Sequence, residues 1–93
     1  MLTIIPERPL QESKAEELAS ALRADGCEVW VDTGYGNEIH RRACTGGHFV
    51  VFLYEVNSTR NLVTLSNRWE NKDTNIPFRT FIRNWRSYLE EED

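Results

Sequence analysis

The chain has 93 residues and a formal net charge of −4; 40% of its residues are hydrophobic and 28% are charged. This length and composition are those of one globular domain with a single core, and they leave no room for a catalytic domain beside an accessory one. No apolar run approaches the roughly 20 residues of a membrane span, and the N-terminus does not resemble a secretory signal. The two cysteines then indicate free thiols in a reducing compartment, so we expect a cytoplasmic protein.

The charge is unevenly distributed along the chain. Residues 1–40 hold eight acidic and three basic side chains, whereas residues 41–89 hold eight basic and three acidic ones, and residues 90–93 are all acidic. The negative total argues against non-specific nucleic-acid binding. The basic segment is compatible with one anion-facing surface, and the alternative is a mixed surface whose charges neutralise one another. We expect a folded domain at 1–89 and an acidic tail at 90–93.

The first third of the chain predicts a strand, a helix and a second strand. Leu2–Ile5 is a short apolar strand ended by prolines. Glu12–Gly26 has apolar residues at helical spacing, a capping-box pair in Ser13 and Glu16, and a final glycine as its left-handed stop. Cys27–Asp32 then alternates as a strand does. This order of elements makes the two strands parallel.

The remainder predicts a short helix, three strands and a long helix. Asn37–Thr45 indicates a helix of about two turns with its first residue as N-cap. After two glycines, His48–Glu55 is a nearly continuous apolar run, typical of a strand buried on both faces. Asn61–Trp69 alternates, which favours a half-buried strand antiparallel to the one before it. Thr74–Ile76 is expected as a brief edge strand, and the last helix begins near Pro77.

His40, Cys44 and His48 recur at intervals of four residues. One interpretation is a metal site with Cys27 as fourth ligand, but a structural zinc site needs four converging ligands, usually in short pairs. Another is a nucleophilic Cys44 beside a histidine, although nothing orients such a pair. The alternative is that these residues have no chemical role: one histidine lies on the surface, the cysteine faces the core, and the other histidine lies at the start of a strand. We predict no metal site, no cofactor and no catalytic residue.

The segment "TGGHFVVF" overlaps the RNP1 signature of RNA-recognition domains, in which aromatic side chains stack on bases. Phe49 and Phe52 match the signature, but Thr45 replaces its basic residue and Gly47 replaces its first aromatic one. A plain buried strand is the alternative, and we prefer it.

The basic C-terminal half places arginine, asparagine and tryptophan side chains at predicted strand ends and turns. Arg60, Asn67, Arg68, Trp69 and Lys72 are of this kind. Such side chains suit the recognition of unstacked bases and phosphates. The alternative is ordinary turn chemistry with a half-buried tryptophan.

Taken in order, these motifs resemble the C-terminal anticodon-binding domain of class II aminoacyl-tRNA synthetases of the glycyl, histidyl, prolyl and threonyl group. The resemblance covers almost the whole chain. It is carried by "IIP", "LRADG" and "VWVD", then by "GNEIHRRA", "FVVFLY", "LVTLSNR" and "IPFRTFIRNWRSYL".

The resemblance implies a single three-layer α/β domain, in which a mixed five-stranded sheet is flanked by three helices. It also implies single-stranded RNA, most simply tRNA, as the ligand. Arg41, Arg42 and Arg68 would then contact phosphates, Trp69 would stack on a base, and Asn67 would read a base edge. With the basic turn residues added, the expected nucleic-acid site is Arg41, Arg42, Arg60, Asn67, Arg68, Trp69 and Lys72.

Two functions are therefore expected from the sequence. The first is a non-catalytic, anticodon-binding-like domain that binds tRNA or another single-stranded RNA. The second is a protein-interaction or homodimerisation module of a synthetase-like regulatory or accessory protein, which the net negative charge favours.

Overall fold

The computed structural model describes residues 2–44 and 47–89. The strands are β1 (Leu2–Pro6), β2 (Val29–Val31), β3 (Phe49–Leu53), β4 (Leu62–Asn67) and β5 (Lys72–Pro77). The helices are α1 (Glu12–Ala24), α2 (Ile39–Ala43) and α3 (Phe78–Tyr88). All five strands form one sheet in the order β2-β1-β3-β4-β5. β1 is parallel to β2 and β3, and the remaining pairs are antiparallel. The mixed five-stranded sheet with three helices is thus confirmed.

The sheet has a core on each face. Phe49, Val51 and Leu53 of β3 belong to the larger core, which α1 and α3 cover. Val50 and Phe52 belong to a smaller core beneath α2. Because successive side chains of a strand point to opposite faces, a strand between two cores must be apolar throughout. This is why β3, the central strand, has the continuous apolar run.

Helix α1 ends in a Schellman motif at the predicted glycine. Gly26 adopts φ +91°, which L-residues rarely reach. Its N–H donates to the carbonyl of Arg23 (3.1 Å), and the N–H of Cys27 donates to the carbonyl of Leu22 (3.0 Å). The turn leads the chain directly into β2, which lies parallel to β1 as predicted.

The predicted N-caps of α1 and α2 were wrong. Ser13 lies inside α1, because a short 3-10 turn at Pro9–Gln11 starts the helical segment earlier. There the Gln11 side chain accepts a hydrogen bond from the N–H of Arg8 (3.0 Å). Helix α2 begins at Ile39 with Glu38 as its N-cap, one residue after the asparagine we predicted.

Strand β5 is twice as long as predicted. Its six residues pair with β4 along its whole length, although only Ile76 is buried. Backbone pairing, and not an alternating apolar pattern, therefore defines this edge strand.

Among the described residues, none of the helices has the length and apolar character needed to cross a membrane. The predicted acidic tail at 90–93 lies outside the described residues, and so does Thr45 of the RNP1-like segment.

Candidate nucleic-acid interface

Four of the predicted site residues lie together at one end of the sheet. β4 ends where β3 begins, because the two strands are antiparallel and Asn67 pairs with Phe49. β5 starts at the same place, because Asn67 also pairs with Lys72. The turn between these strands holds Arg68 and Trp69. We call this region, formed by residues 48–49 and 67–72, the Trp69 end of the sheet.

Three aromatic rings are stacked at the Trp69 end. The ring of His48 lies 4.0 Å from that of Trp69, centroid to centroid, with an angle of 11° between their planes. On its other side His48 stacks on Phe49, at 4.3 Å and 20°. Phe49 is packed against the larger core, whereas Trp69 is 77% exposed. An exposed indole is therefore held on a rigid support, which is the geometry of a platform for a nucleobase.

Asn67 holds this platform in place. Its Oδ1 accepts hydrogen bonds from the backbone N–H groups of Trp69 (3.2 Å) and Glu70 (3.1 Å), an Asx-type turn. These two donors fix which end of the amide is oxygen. The contact between Oδ1 and Nε2 of His48 (2.9 Å) therefore requires the hydrogen on Nε2. Asn67 thus holds both the turn and the imidazole of His48 in position. Of its side-chain amide, the nitrogen is the group that could hydrogen-bond to a base.

Arg68 and Lys72 are the two basic residues of the Trp69 end. Arg68 lies close enough to Tyr54, which packs against the smaller core, for its charge to act on the phenol. Burial raises the pKa of the Tyr54 phenol, the carboxylates of Asp73 and Glu7 raise it further, and the Arg68 guanidinium opposes the rise. Lys72 opens β5 and is exposed. The side chains of Arg68 and Lys72 make no hydrogen bond or ion pair within the described part of the chain, so both cations are available to an anionic ligand.

Arg42 is placed differently from what we expected. Its side chain is 3% exposed and pairs with Asp32, Nε to Oδ1 at 3.3 Å. Its Nη2 also donates to the backbone carbonyl of Asp32 (2.6 Å), and its guanidinium lies 5.0 Å from the ring of Tyr35. A guanidinium enclosed in this way ties α2 to the end of β2 and does not face solvent. We therefore remove Arg42 from the phosphate-contacting set.

Arg41 and Arg60 are both exposed, and neither is among the residues that form the Trp69 end. Arg41 is on α2 and is exposed, whereas its neighbour Arg42 is buried. Arg60 precedes β4, whose six residues span about 20 Å, so it lies at the far end of the strand from Trp69. The structure does not bring Arg60 together with the other basic residues.

The structure also bears on the alternative interpretations of the sequence, namely the RNP1-like segment, the core-facing cysteine and the metal site. Phe52 of the RNP1-like segment is 1% exposed and lies against His40, so its ring is not available to a base. Cys44, expected to face the core, is exposed because it caps the end of α2. No group of three or more His, Cys, Asp or Glu side chains in the described ranges is arranged to hold a metal ion.

His48 and Phe49 belong to this site but are not among the predicted site residues. In the sequence, His48 is a candidate metal ligand, a candidate partner of a nucleophilic Cys44 or a residue at a strand entry, and Phe49 is a match to the RNP1 signature. Trp69, on which His48 stacks, is 21 positions away, and the two meet only because of the register of β3 and β4. The signal present in the sequence was the alternation of Asn61–Trp69, which predicts the antiparallel pair but not its register.

No family model and no curated protein matches the chain, but solved structures do. Prolyl-tRNA synthetase from Cryptosporidium parvum superposes with a TM-score of 0.83 and 15% identity, over 95% of this chain and 20% of the synthetase. The RNA-binding domain of threonyl-tRNA synthetase from Cryptosporidium parvum Iowa II gives 0.80 and 14%, over 94% and 23%. Histidyl-tRNA synthetase from Nostoc sp. PCC 7120 gives 0.83 and 11%, over 96% and 22%.

The chain therefore spans about a fifth of the length of these solved chains. At such low identity the likeness concerns the fold alone. On that level it confirms the resemblance read from the sequence: the chain has the fold of an anticodon-binding-like domain of class II aminoacyl-tRNA synthetases.

Proposed function

We propose that this chain is a non-catalytic domain that binds single-stranded RNA at the Trp69 end, with tRNA as the expected natural ligand. The observation that carries the proposal is the exposed Trp69 ring, stacked on His48 and Phe49 in the region that also holds Arg68 and Lys72. The fold adds support, because one of the structures it resembles is described as the RNA-binding domain of a tRNA synthetase.

The chemistry of the platform suits unpaired nucleotides. Stacking of a base on an aromatic side chain contributes about 1–3 kcal/mol and requires the base to be unstacked from its neighbours. Because the indole of Trp69 is already ordered by His48 and by the Asn67 turn, little further ordering is needed when RNA binds. In this proposal Arg68 and Lys72 contact the flanking phosphates, and the exposed Arg41 on α2 is a further candidate for phosphate contact.

The proposal is tested by the salt dependence of RNA binding. Fluorescence anisotropy of labelled tRNA and of a 12-nucleotide single strand would be recorded between 50 and 200 mM salt. Each phosphate contact on a single strand adds about 0.7 to the slope of log K against log salt. Replacing Arg68 and Lys72 together by alanine is expected to lower the slope by about 1.4.

A matched control is the double variant Arg79→Ala, Arg83→Ala. It removes the same charge from exposed arginines of α3, whose side chains make no ion pair within the described part of the chain. We expect it to leave the slope unchanged. The absence of salt-sensitive binding to either RNA at micromolar protein, or an equal effect of the two double variants, would refute the proposal.

A second candidate function, protein interaction, is favoured by a feature at the opposite end of the sheet. There the side chains of Leu10 and Val56 are 79% and 78% exposed. Leu10 borders a cleft of about 220 Å³ whose walls include Tyr54 and Leu62. Exposed apolar side chains beside a cleft are typical of interaction surfaces. Sedimentation equilibrium tests this function: a concentration-dependent dimer that Leu10→Ser abolishes would support it, and a monomer at all concentrations would argue against homodimerisation.

A further inference from the structure

A small cleft opens directly beside the aromatic platform, on the face of the sheet covered by α1 and α3. Its volume is about 170 Å³. Phe49, the innermost ring of the platform, forms one wall, and Asn67, which braces the platform, also lines the cleft. A nucleotide next to one stacked on Trp69 would therefore meet this opening.

The cleft combines apolar walls with two charged side chains. Its walls include Phe49, Leu65 and Tyr88. Glu70 and Lys72 lie at its rim, and neither side chain makes a hydrogen bond or ion pair within the described residues. A carboxylate and an ammonium group thus border one opening between aromatic walls, and neither has a partner of opposite charge within 4 Å among residues 2–44 and 47–89.

We propose that this cleft binds the nucleobase adjacent to the one on Trp69 and that it prefers guanine. This inference rests on the RNA-binding function proposed above. Guanine presents two neighbouring N–H donors on its Watson–Crick edge, at N1 and N2, and an acceptor at O6. The Glu70 carboxylate accepts from both donors. The Lys72 ammonium has three N–H donors, so it donates one to O6 and keeps the others for the adjacent phosphate, while Phe49 or Tyr88 contacts the ring face.

The other three bases match this pair of groups less well. Adenine and cytosine each offer one exocyclic amine to Glu70, and uracil offers only its N3–H. A carboxylate that accepts two parallel hydrogen bonds discriminates more strongly than one that accepts a single bond. The expected preference for guanine is therefore roughly tenfold in Kd.

The test uses labelled RNA pentamers of uridine whose central position is G, A, C or U, measured by fluorescence anisotropy. We expect the guanine pentamer to bind about tenfold more tightly than the other three. Glu70→Gln should reduce that preference to about twofold or less without weakening the all-uridine pentamer, because it removes a negative charge and one acceptor. The control Glu16→Gln changes an exposed carboxylate on α1 and should leave the preference intact.

The outcomes separate this inference from the proposed function. If all four pentamers bind with the same affinity, or if the guanine preference survives Glu70→Gln, the cleft does not read guanine although the chain binds RNA. If neither the pentamers nor tRNA bind, the proposed function fails and the inference falls with it. Glu70 is exposed, so circular dichroism should show native folding for its variant.

Discussion

The buried ion pair between Arg42 and Asp32 gives a prediction that separates a structural arginine from an RNA-binding one. Arg42→Ala removes a guanidinium whose side chain is only 3% exposed. The Asp32 carboxylate, 9% exposed, would then keep only the N–H of Gly34 (2.7 Å) as a partner within the described residues, and its carbonyl would lose the 2.6 Å bond. A buried charge would remain without its counter-charge.

The magnitude of the effect follows from this geometry. Removing one partner of a buried ion pair typically costs about 3–5 kcal/mol. That loss is a large part of the 5–15 kcal/mol by which a typical domain is stable. For a chain of this size each kcal/mol shifts Tm by about 4–8 °C, so the variant should melt at least about 12 °C below the parent. Thermal and urea unfolding followed by circular dichroism measure the change.

The neighbouring Arg41→Ala is the control for this measurement. Arg41 is exposed on the same helix, and its removal should change stability by no more than about 0.5 kcal/mol. At a temperature where the Arg42 variant is still folded, its Kd for RNA should stay within about twofold of the parent, because a buried guanidinium contacts no phosphate. A Tm shift of less than about 3 °C, or a large rise in Kd with the fold intact, would refute the reasoning.

Three further predictions concern stability. Gly26→Ala should lower the free energy of unfolding by about 1–2 kcal/mol in urea titrations, because φ is +91° there; no loss would show that the helix stop tolerates a Cβ. Thr64→Val should cost about 1–3 kcal/mol, since it removes the hydroxyl that joins Asn57 (3.2 Å) to Asn75 (2.6 Å); a neutral effect would mean that this network does not stabilise the fold. The raised pKa of Tyr54 means that the unfolded chain loses the phenolic proton first, so stability should fall as pH rises above about 10; Tyr54→Phe should flatten that fall, and unchanged pH dependence would contradict it.

Several elements of the fold could be predicted because local chemistry determines them. Gly26 ends α1 because the backbone conformation needed there excludes most side chains. β3 has an apolar run because both of its faces are covered. The parallel pairing of β1 and β2 follows from the helical crossover, α1, that connects them. In each case the information lies in one continuous segment of the sequence.

The features that escaped prediction depend on contacts between distant residues. Arg41 and Arg42 are adjacent and chemically identical. Arg42 is buried because α2 is oriented so that this side chain reaches Asp32, whereas Arg41 is exposed. The stack of His48 on Trp69 depends on the register of β3 and β4, which a one-residue slip would change completely. The sequence therefore identifies candidate residues for such a site, but which of them lie close together depends on the tertiary structure.

The most direct test of RNA binding at the Trp69 end compares two tryptophan variants in one titration. Trp69→Ala removes the exposed ring of the platform, and Trp30→Ala removes another exposed indole, 47% accessible, from the edge strand β2. We predict that Trp69→Ala raises the Kd for a single-stranded RNA by about tenfold, as the loss of one stacked base requires, while Trp30→Ala leaves it unchanged. Equal Kd values for the parent and both variants would contradict the assignment of this surface.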